Sequence, residues 1–247
     1  IGGAKNSPGK LFTQTSGGKY KSTNEILFKN DKQGEDIGCL FVDVDGDGDL
    51  DLYVASGGSE LPNSSLSLID RLYFNDSKGK FTKSQQMLPV GKPVTSSVVR
   101  STDFDNDGDQ DLFVGVRLKS NLLGIPQTSY LLQNDGKGNF SDVTETRAKG
   151  LISVGLVTDG QWSDYDQDGD FEITAGTSGD FIMIDIKYQE SSEIDPYWSL
   201  FKGDLLRSGY YYNSENSDGC NILGDVNCDL IIDIIDIIII VNMIMDG

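Results

Sequence analysis

Carboxylates at every second position of a tight turn are the groups here with evident chemistry, and that chemistry is the capture of a hard cation. The pattern DxDxDGDx(D/E) occurs three times, as DVDGDGDLD from Asp43, DFDNDGDQD from Asp103 and DYDQDGDFE from Asp164. A calcium ion takes six to eight oxygens at about 2.3 to 2.6 Å, and alternate acids on a sharp turn aim oxygens at one point. In the first stretch Asp43, Asp45, Asp47 and Asp51 would supply side-chain oxygens, and Asp49, at position seven, its backbone carbonyl. Asp103, Asp105, Asp107, Asp109 and Asp111 repeat the set, as do Asp164, Asp166, Asp168, Asp170 and Glu172. Glycine at position six permits the turn. Five acids in nine residues would repel one another strongly with no cation between them.

The elements that must hold such turns are strands. An EF-hand loop ends in a bidentate acid at position twelve and runs into a helix. Position twelve here is Val54, Val114 and Ala175, and the following LDLYVAS, QDLFVGV and FEITAGT are short β-branched and aromatic runs, which predict strands. After each of the first two comes an aromatic hairpin, DRLYFNDSKGKFTKS and SYLLQNDGKGNFSDV, with Asn-Asp-(Ser/Gly)-Lys-Gly turns suited to reversing the chain. A degenerate version, GAKNSPGKLFTQT, lies at Gly3 to Thr15 with no acidic stretch before it. The period is about 60 residues, with four short strands and no helical segment expected per repeat, which predicts blades of a β-propeller. Residues 1–186 hold about three such blades, the first incomplete, fewer than the four to eight that close a propeller. Blades missing upstream, an open arc, or completion by other chains would each answer the shortfall.

Composition narrows the functions. The 247 residues include 29 Gly and no His, and carry a net charge of −19. Absence of histidine excludes a Ser/His/Asp triad and His-ligated zinc or haem. The charge disfavours nucleic acid and anionic membrane. Three cysteines are too few for a disulfide scaffold; Cys220 and Cys228 are close enough to bridge in an oxidising compartment, and Cys39, on an apolar strand, is expected to be a small buried core residue. No signal peptide opens the sequence and no long uncharged apolar run suggests membrane insertion. Ile1 followed by two glycines is a poor natural start, so a processed product or a piece of something longer is expected.

CLFVDVDGDGDLDLYVASGG, DRLYFNDSKGKFTKS, SYLLQNDGKGNFSDVTE and GLVTDGQWSDYDQDGDFEI resemble the FG-GAP/VCBS repeat proteins, especially bacterial members with ASPIC/UnbV-type propellers. The similarity covers residues 1 to about 178. It implies a calcium-stabilised, all-β, integrin-α-like propeller, usually secreted or on the cell surface, and most members resemble binding or adhesion modules. Some propellers of this type belong to polysaccharide lyases or lipases, so the resemblance leaves activity open.

The end of the chain is a different unit. In ILGDVNCDLIIDIIDIIIIVNMIMDG, Asp225, Asn227, Asp229, Asp233 and Asp236 occupy positions 1, 3, 5, 9 and 12 of an EF-type loop, and Ile234, Ile237, Ile238, Val241, Ile244 and Met245 follow helical spacing. Residues 219–247 resemble one half of a type I dockerin, which would imply a fourth calcium site and a cohesin-like partner. Leu230 stands where the turn glycine belongs and Cys228 at position four, and a degenerate fourth blade is the alternative. Residues 187–218 form a linker whose PYWSLFKGDLLRSGYYY brings six aromatics together, as a core plug or as a sugar-stacking platform.

Three function classes follow. The first is a secreted or cell-surface module binding an extracellular glycan or protein, with calcium structural. The second is a polysaccharide-active enzyme or its non-catalytic module, although no pair of acids is singled out for catalysis. The third is a self-assembling structural protein, a homo-oligomer or filament in which exposed blade faces or the Ile-rich tail meet a neighbouring copy.

Overall fold

The structure is a computed structural model, and it describes residues 1–186 except 121, 123, 166–168, 178 and 180. Along the chain run β1 (Leu11–Gln14), β2 (Tyr20–Thr23), α1 (Glu25–Asn30), β3 (Glu35–Val42), β4 (Asp51–Gly57), β5 (Arg71–Asn75) and β6 (Phe81–Lys83). Then come β7 (Thr95–Thr102), β8 (Asp111–Leu118), β9 (Tyr130–Gln133), β10 (Ser141–Asp142), α2 (Thr144–Arg147), β11 (Asp159–Ser163), β12 (Phe171–Gly176) and β13 (Phe181–Ile186). The fold is all-β, built of small antiparallel sheets: β3-β4-β5-β6, β7-β8-β9-β10, β11-β12-β13 and the hairpin β1-β2. The β-branched and aromatic runs are β4, β8 and β12, and the two aromatic hairpins are β5-β6 and β9-β10.

Register repeats as closely as sequence does. Val42 pairs with Asp51, Thr102 with Asp111 and Ser163 with Glu172. The last residue before each acidic stretch therefore lies opposite its ninth residue, and each stretch is the turn joining the first two strands of a sheet.

A lone sheet of this size cannot bury both faces, so the core lies between sheets. Alternation along the strands sends Tyr53 and Ala55 of β4 into one cluster with Val99, Leu112, Val114 and Val116 of the second sheet. Phe113, on the other face of β8, joins Ile173, Ala175, Ile182 and Ile184 of the third. Leu52 and Val54 turn back toward Phe28, with Leu11 and Leu27 packed alongside. Full burial of each large aliphatic or aromatic side chain stabilises the fold by about 1.5 to 3 kcal/mol.

Side-chain amides close the seams between sheets. Asn24 donates to the Gly79 carbonyl (2.9 Å) and accepts from the Phe81 amide (3.0 Å). Gln86 does the same to Phe140, donating to its carbonyl and accepting from its amide at 3.1 Å. Each amide imitates a peptide unit at the edge of the next sheet. Buried Asp70 accepts from the Ser56 amide (2.7 Å), the Tyr53 hydroxyl (2.8 Å) and, from the second sheet, the Ser96 hydroxyl (2.8 Å).

Three expectations need correction. The repeats are not free of helix: α1 and α2 stand in connecting segments, where no ladder partner is available, and α1 is held by Phe28 stacking edge-on against Tyr73. The N-terminal turn around Ala4–Ser7 does bring Ile1 and Lys10 into a paired exchange of backbone bonds (2.9 and 3.0 Å). The strand after it, however, pairs with β2 across a second turn at Thr15–Lys19. Cys39 is exposed, because it shares a face of β3 with Phe41 (47% exposed) where the N-terminal segment leaves a gap beside Ile1, Gly9 and Leu11.

Candidate metal centres

Each acidic stretch is first a network of turns. In the first, Asp43 accepts from the amides of Gly46 (2.8 Å) and Gly48 (3.0 Å), and Asp47 from that of Asp49 (3.0 Å). In the second, Asp103 accepts from the amides of Asp107 and Gly108 (both 3.0 Å), and Asp107 from that of Asp109 (3.1 Å). Position six has positive φ in all three stretches, 89° at Gly48, 98° at Gly108 and 94° at Gly169, where glycine carries no Cβ penalty.

The ninth residue is a clasp. Asp51, fully buried, accepts from the Val44 amide (3.1 Å) and the Asn75 amide (2.8 Å). Asp111, also fully buried, accepts from the amides of Phe104 (3.2 Å) and Asn134 (2.8 Å). Glu172 accepts from the Tyr165 amide in the corresponding place. Position nine thus ties the second residue of its stretch, and in the first two sheets also the aromatic hairpin, to the start of a strand.

With those bonds made, positions three and seven stand out. Oδ1 of Asp45 and of Asp49, and Oδ1 of Asp105 and of Asp109, are buried with no hydrogen-bond partner among the described residues. Their other oxygens are steadied where Ser77 donates to Asp49 (2.6 Å) and Gln133 to Asp105. Asp43, Asp45 and Asp47 bring carboxylate oxygens within 4.8 Å of one another, and so do Asp103, Asp105 and Asp111. Buried carboxylate oxygens are rarely left unpaired, and four at repeated positions fit a hard cation. The side chains of Asp49 and Asp109, expected to stand aside for a backbone carbonyl, carry two of these oxygens.

Electrostatics agree. Burial pushes Asp51 up to about 6 and Asp111 to about 7, against the backbone bonds from Asn75 and Asn134. Asp109 rises to about 6 through burial and then the charges of Asp107, Asp105 and Asp103. Asp45 and Asp105 rise for the same reasons, burial first. Such crowding penalises the ionised form until a cation enters.

Among known protein families, the FG-GAP-like repeat matches residues 43–114 and again residues 103–175. Each match starts at the first Asp of one acidic stretch and extends into the strand that follows the next. The chain belongs to the FG-GAP-like repeat family. A search of curated proteins finds no match to it.

In this FG-GAP repeat chain the third stretch is partly described: Asp164 is exposed and Glu172 buried, while Asp166 and Asp168 lie outside the described residues. So do Asp225, Asn227, Asp229, Asp233 and Asp236, the aromatic linker, and Cys220 and Cys228. No described helix is long and apolar enough to cross a membrane. The part sequence reasoning missed is Asn75 and Asn134. Besides the N–H given to the clasp, each side-chain oxygen accepts two amides of its own turn, from Asp76 (3.0 Å) and Gly79 (3.2 Å) or from Asp135 (2.9 Å) and Gly138 (3.1 Å). The Asn-Asp-x-Lys-Gly spelling contained this signal, since asparagine followed by aspartate and a glycine four residues on is an Asx-turn pattern.

Proposed function

We propose that this FG-GAP repeat chain is a calcium-stabilised binding or adhesion module, secreted or displayed at the cell surface, that engages a glycan or a protein and has no catalysis of its own. The observation that carries the calcium part is the recurrence, in two successive repeats, of buried carboxylate oxygens at positions three and seven that have no hydrogen-bond partner among the described residues. Asp43, Asp45, Asp47, Asp49 and Asp51 would hold one ion, and Asp103, Asp105, Asp107, Asp109 and Asp111 a second. Asp164, Asp166, Asp168, Asp170 and Glu172 would hold a third. When bound, calcium supplies charge neutralisation and a fixed turn. The chain's own residues orient the oxygens through the Asp51 and Asp111 clasps, leaving connecting segments on a rigid scaffold for recognition. With free calcium ten- to a hundredfold above its dissociation constant, each site would stabilise the fold by about 1.4 to 2.7 kcal/mol. The test is thermal unfolding in calcium and in chelator, followed by a glycan and protein binding screen in both. Equal melting in the two conditions would remove the calcium assignment; ligand capture unaffected by chelator would separate recognition from the metal.

A self-assembling extracellular protein is the second reading, and one observation favours it. Cys39 and Phe41 are exposed on one face of β3, whereas Val99, which matches Cys39 in register on β7, is buried against the preceding sheet. An apolar face at a position covered in the next repeat suits contact with a neighbouring copy. Light scattering in calcium distinguishes a monomer from a regular polymer.

A further inference from the structure

Asn134 does something Asn75 does not. Both asparagines clasp their own loop, Asn75 donating its side-chain amide to the Leu50 carbonyl (3.1 Å) and Asn134 to the Gln110 carbonyl (3.1 Å). Asn134 spends its second amide hydrogen on the carbonyl of Val44, 2.8 Å away in the first acidic loop. Val44 is the residue between Asp43 and Asp45, and its N–H is already held by Asp51. Its peptide units are therefore fixed from both sides, by the first loop's own clasp and by the second repeat's hairpin. The Asn134 amide has all its hydrogen-bonding capacity in use: two hydrogens donated, to loops one and two, and two bonds accepted, from Asp135 and Gly138. It is 4% exposed.

The surroundings leave this bridge little slack. A Cβ on Gly138 would lie 2.6 Å from the Phe74 ring and 3.2 Å from the Val44 side chain, so the turn of the second repeat sits directly on the first loop. The same turn reaches the second loop, where Gly136 lies beside the Asp109 carboxylate. One short hairpin turn thus touches both acidic loops, and one side chain is bonded to both.

We infer that the first two acidic loops are energetically coupled cation sites, with Asn134 as the positioning residue that transmits occupancy of one to the other. This rests on the calcium reading above. A cation in loop one draws in the carboxylates of Asp43 and Asp45 on either side of Val44 and tightens the bond from Asn134 to the Val44 carbonyl, and a more firmly held Asn134 keeps Asp111 in place in loop two through its backbone N–H. By reciprocity each site raises the other's affinity by one and the same factor, for which couplings of about five- to 150-fold are typical. The bond from Asn134 runs to a backbone carbonyl, so the coupling does not depend on which side chains complete the ion's shell.

Calcium titration by calorimetry on the full chain tests this, with loop one disabled by D45N/D47N and, separately, loop two by D105N/D107N. The expected result is at least a fivefold loss of affinity at the intact loop in each double variant. N134A should bring the affinity of the two loops to independence, and N75A, which removes the equivalent bonds within one repeat but none between loops, should weaken loop one and leave the coupling. Hydrogen exchange supplies a readout that does not need N134A to fold: calcium added to the loop-two-disabled chain should slow exchange in the Asp135–Gly138 turn. Unchanged affinity at the intact loop, or exchange in that turn indifferent to calcium in loop one, would overturn the coupling while leaving calcium binding in place. Absence of calcium heat in the unaltered chain would overturn the metal reading and the coupling with it.

Discussion

Replacement of Asp111 by alanine separates the two jobs its carboxylate performs. The side chain is fully buried and accepts from the amides of Phe104 and Asn134, so truncation strands two buried N–H groups. An orphaned buried donor costs about 1 to 3 kcal/mol, giving roughly 2 to 6 kcal/mol for the pair, a large part of the roughly 5 to 15 kcal/mol that holds a domain together. For a chain of this size about 1 kcal/mol shifts the melting temperature by roughly 2 to 4 °C, so D111A should melt at least about 4 °C lower in chelator alone. It should also lose part of the calcium-induced rise, because Asp111 shares a cluster with Asp103 and Asp105. Circular dichroism melts in calcium and chelator read both effects, with D107A as comparison, since Asp107 is exposed and accepts a single turn bond at 3.1 Å. A D111A melt in chelator within about 1 °C of the unaltered chain would refute the clasp. A normal calcium increment on a lowered baseline would make Asp111 a brace and not a ligand.

Three other outcomes are expected. Asp51, Asp109, Asp70 and Asp111 are pushed up to about 6 or 7, burial being the first cause for each, so the metal-free folded state binds more protons than the unfolded chain, whose carboxyls titrate near about 4. Their contribution is full below about pH 4 and lost as pH rises through about 6 to 7; melting in chelator should therefore fall between pH 5 and 8, and a rise would contradict the burial assigned to these groups. G138A should destabilise more than G79A: both glycines have positive φ, 75° and 79°, but only the first would press a Cβ into Phe74, nothing lying within 4 Å of the second. Equal losses in a denaturant series would mean the turn does not rest on the first loop. Exposed Cys39 should react with a maleimide in dilute monomer, slowed because burial and the Asp36 charge push its thiol up, and be protected in any assembled form; identical rates in both would remove the β3 face from the assembly.

Strand identity was legible because the repeats spell it three times over, and LDLYVAS, QDLFVGV and FEITAGT became β4, β8 and β12 for the reason their composition predicts. The helices were not, since α1 and α2 are one or two turns long and are set by how a connection crosses between sheets, with Phe28 as the lone buried anchor of α1. Cys39 misled in a similar way: β3 is apolar on both faces, and pattern alone cannot say which face has a neighbour. At the acidic loops the ligand types were plain from spacing, but the division of labour among them was not. Asp49 and Asp51 are both aspartates two residues apart, and only the fold shows that one oxygen of Asp49 is left without a partner while both oxygens of Asp51 are taken by amides.

That division decides what a cation does to this fold. Positions one, five and nine accept backbone amides, through Asp43, Asp47 and Asp51 and again through Asp103, Asp107 and Asp111. The turns are thus shaped by the chain itself, and the carboxylate oxygens left without a hydrogen bond are at positions three and seven, in Asp45, Asp49, Asp105 and Asp109. A cation that found a disordered loop would have to fold it, as in small metal domains that are unfolded without their ion. A cation entering a turn already closed by its clasp changes stability and leaves secondary structure alone. Calcium should therefore raise the melting temperature with no change in the far-ultraviolet circular dichroism spectrum at 20 °C. Loss of the β signal in chelator at that temperature would show that the amide bonds at positions one, five and nine cannot hold the turns, and that the ion is part of the folding reaction itself.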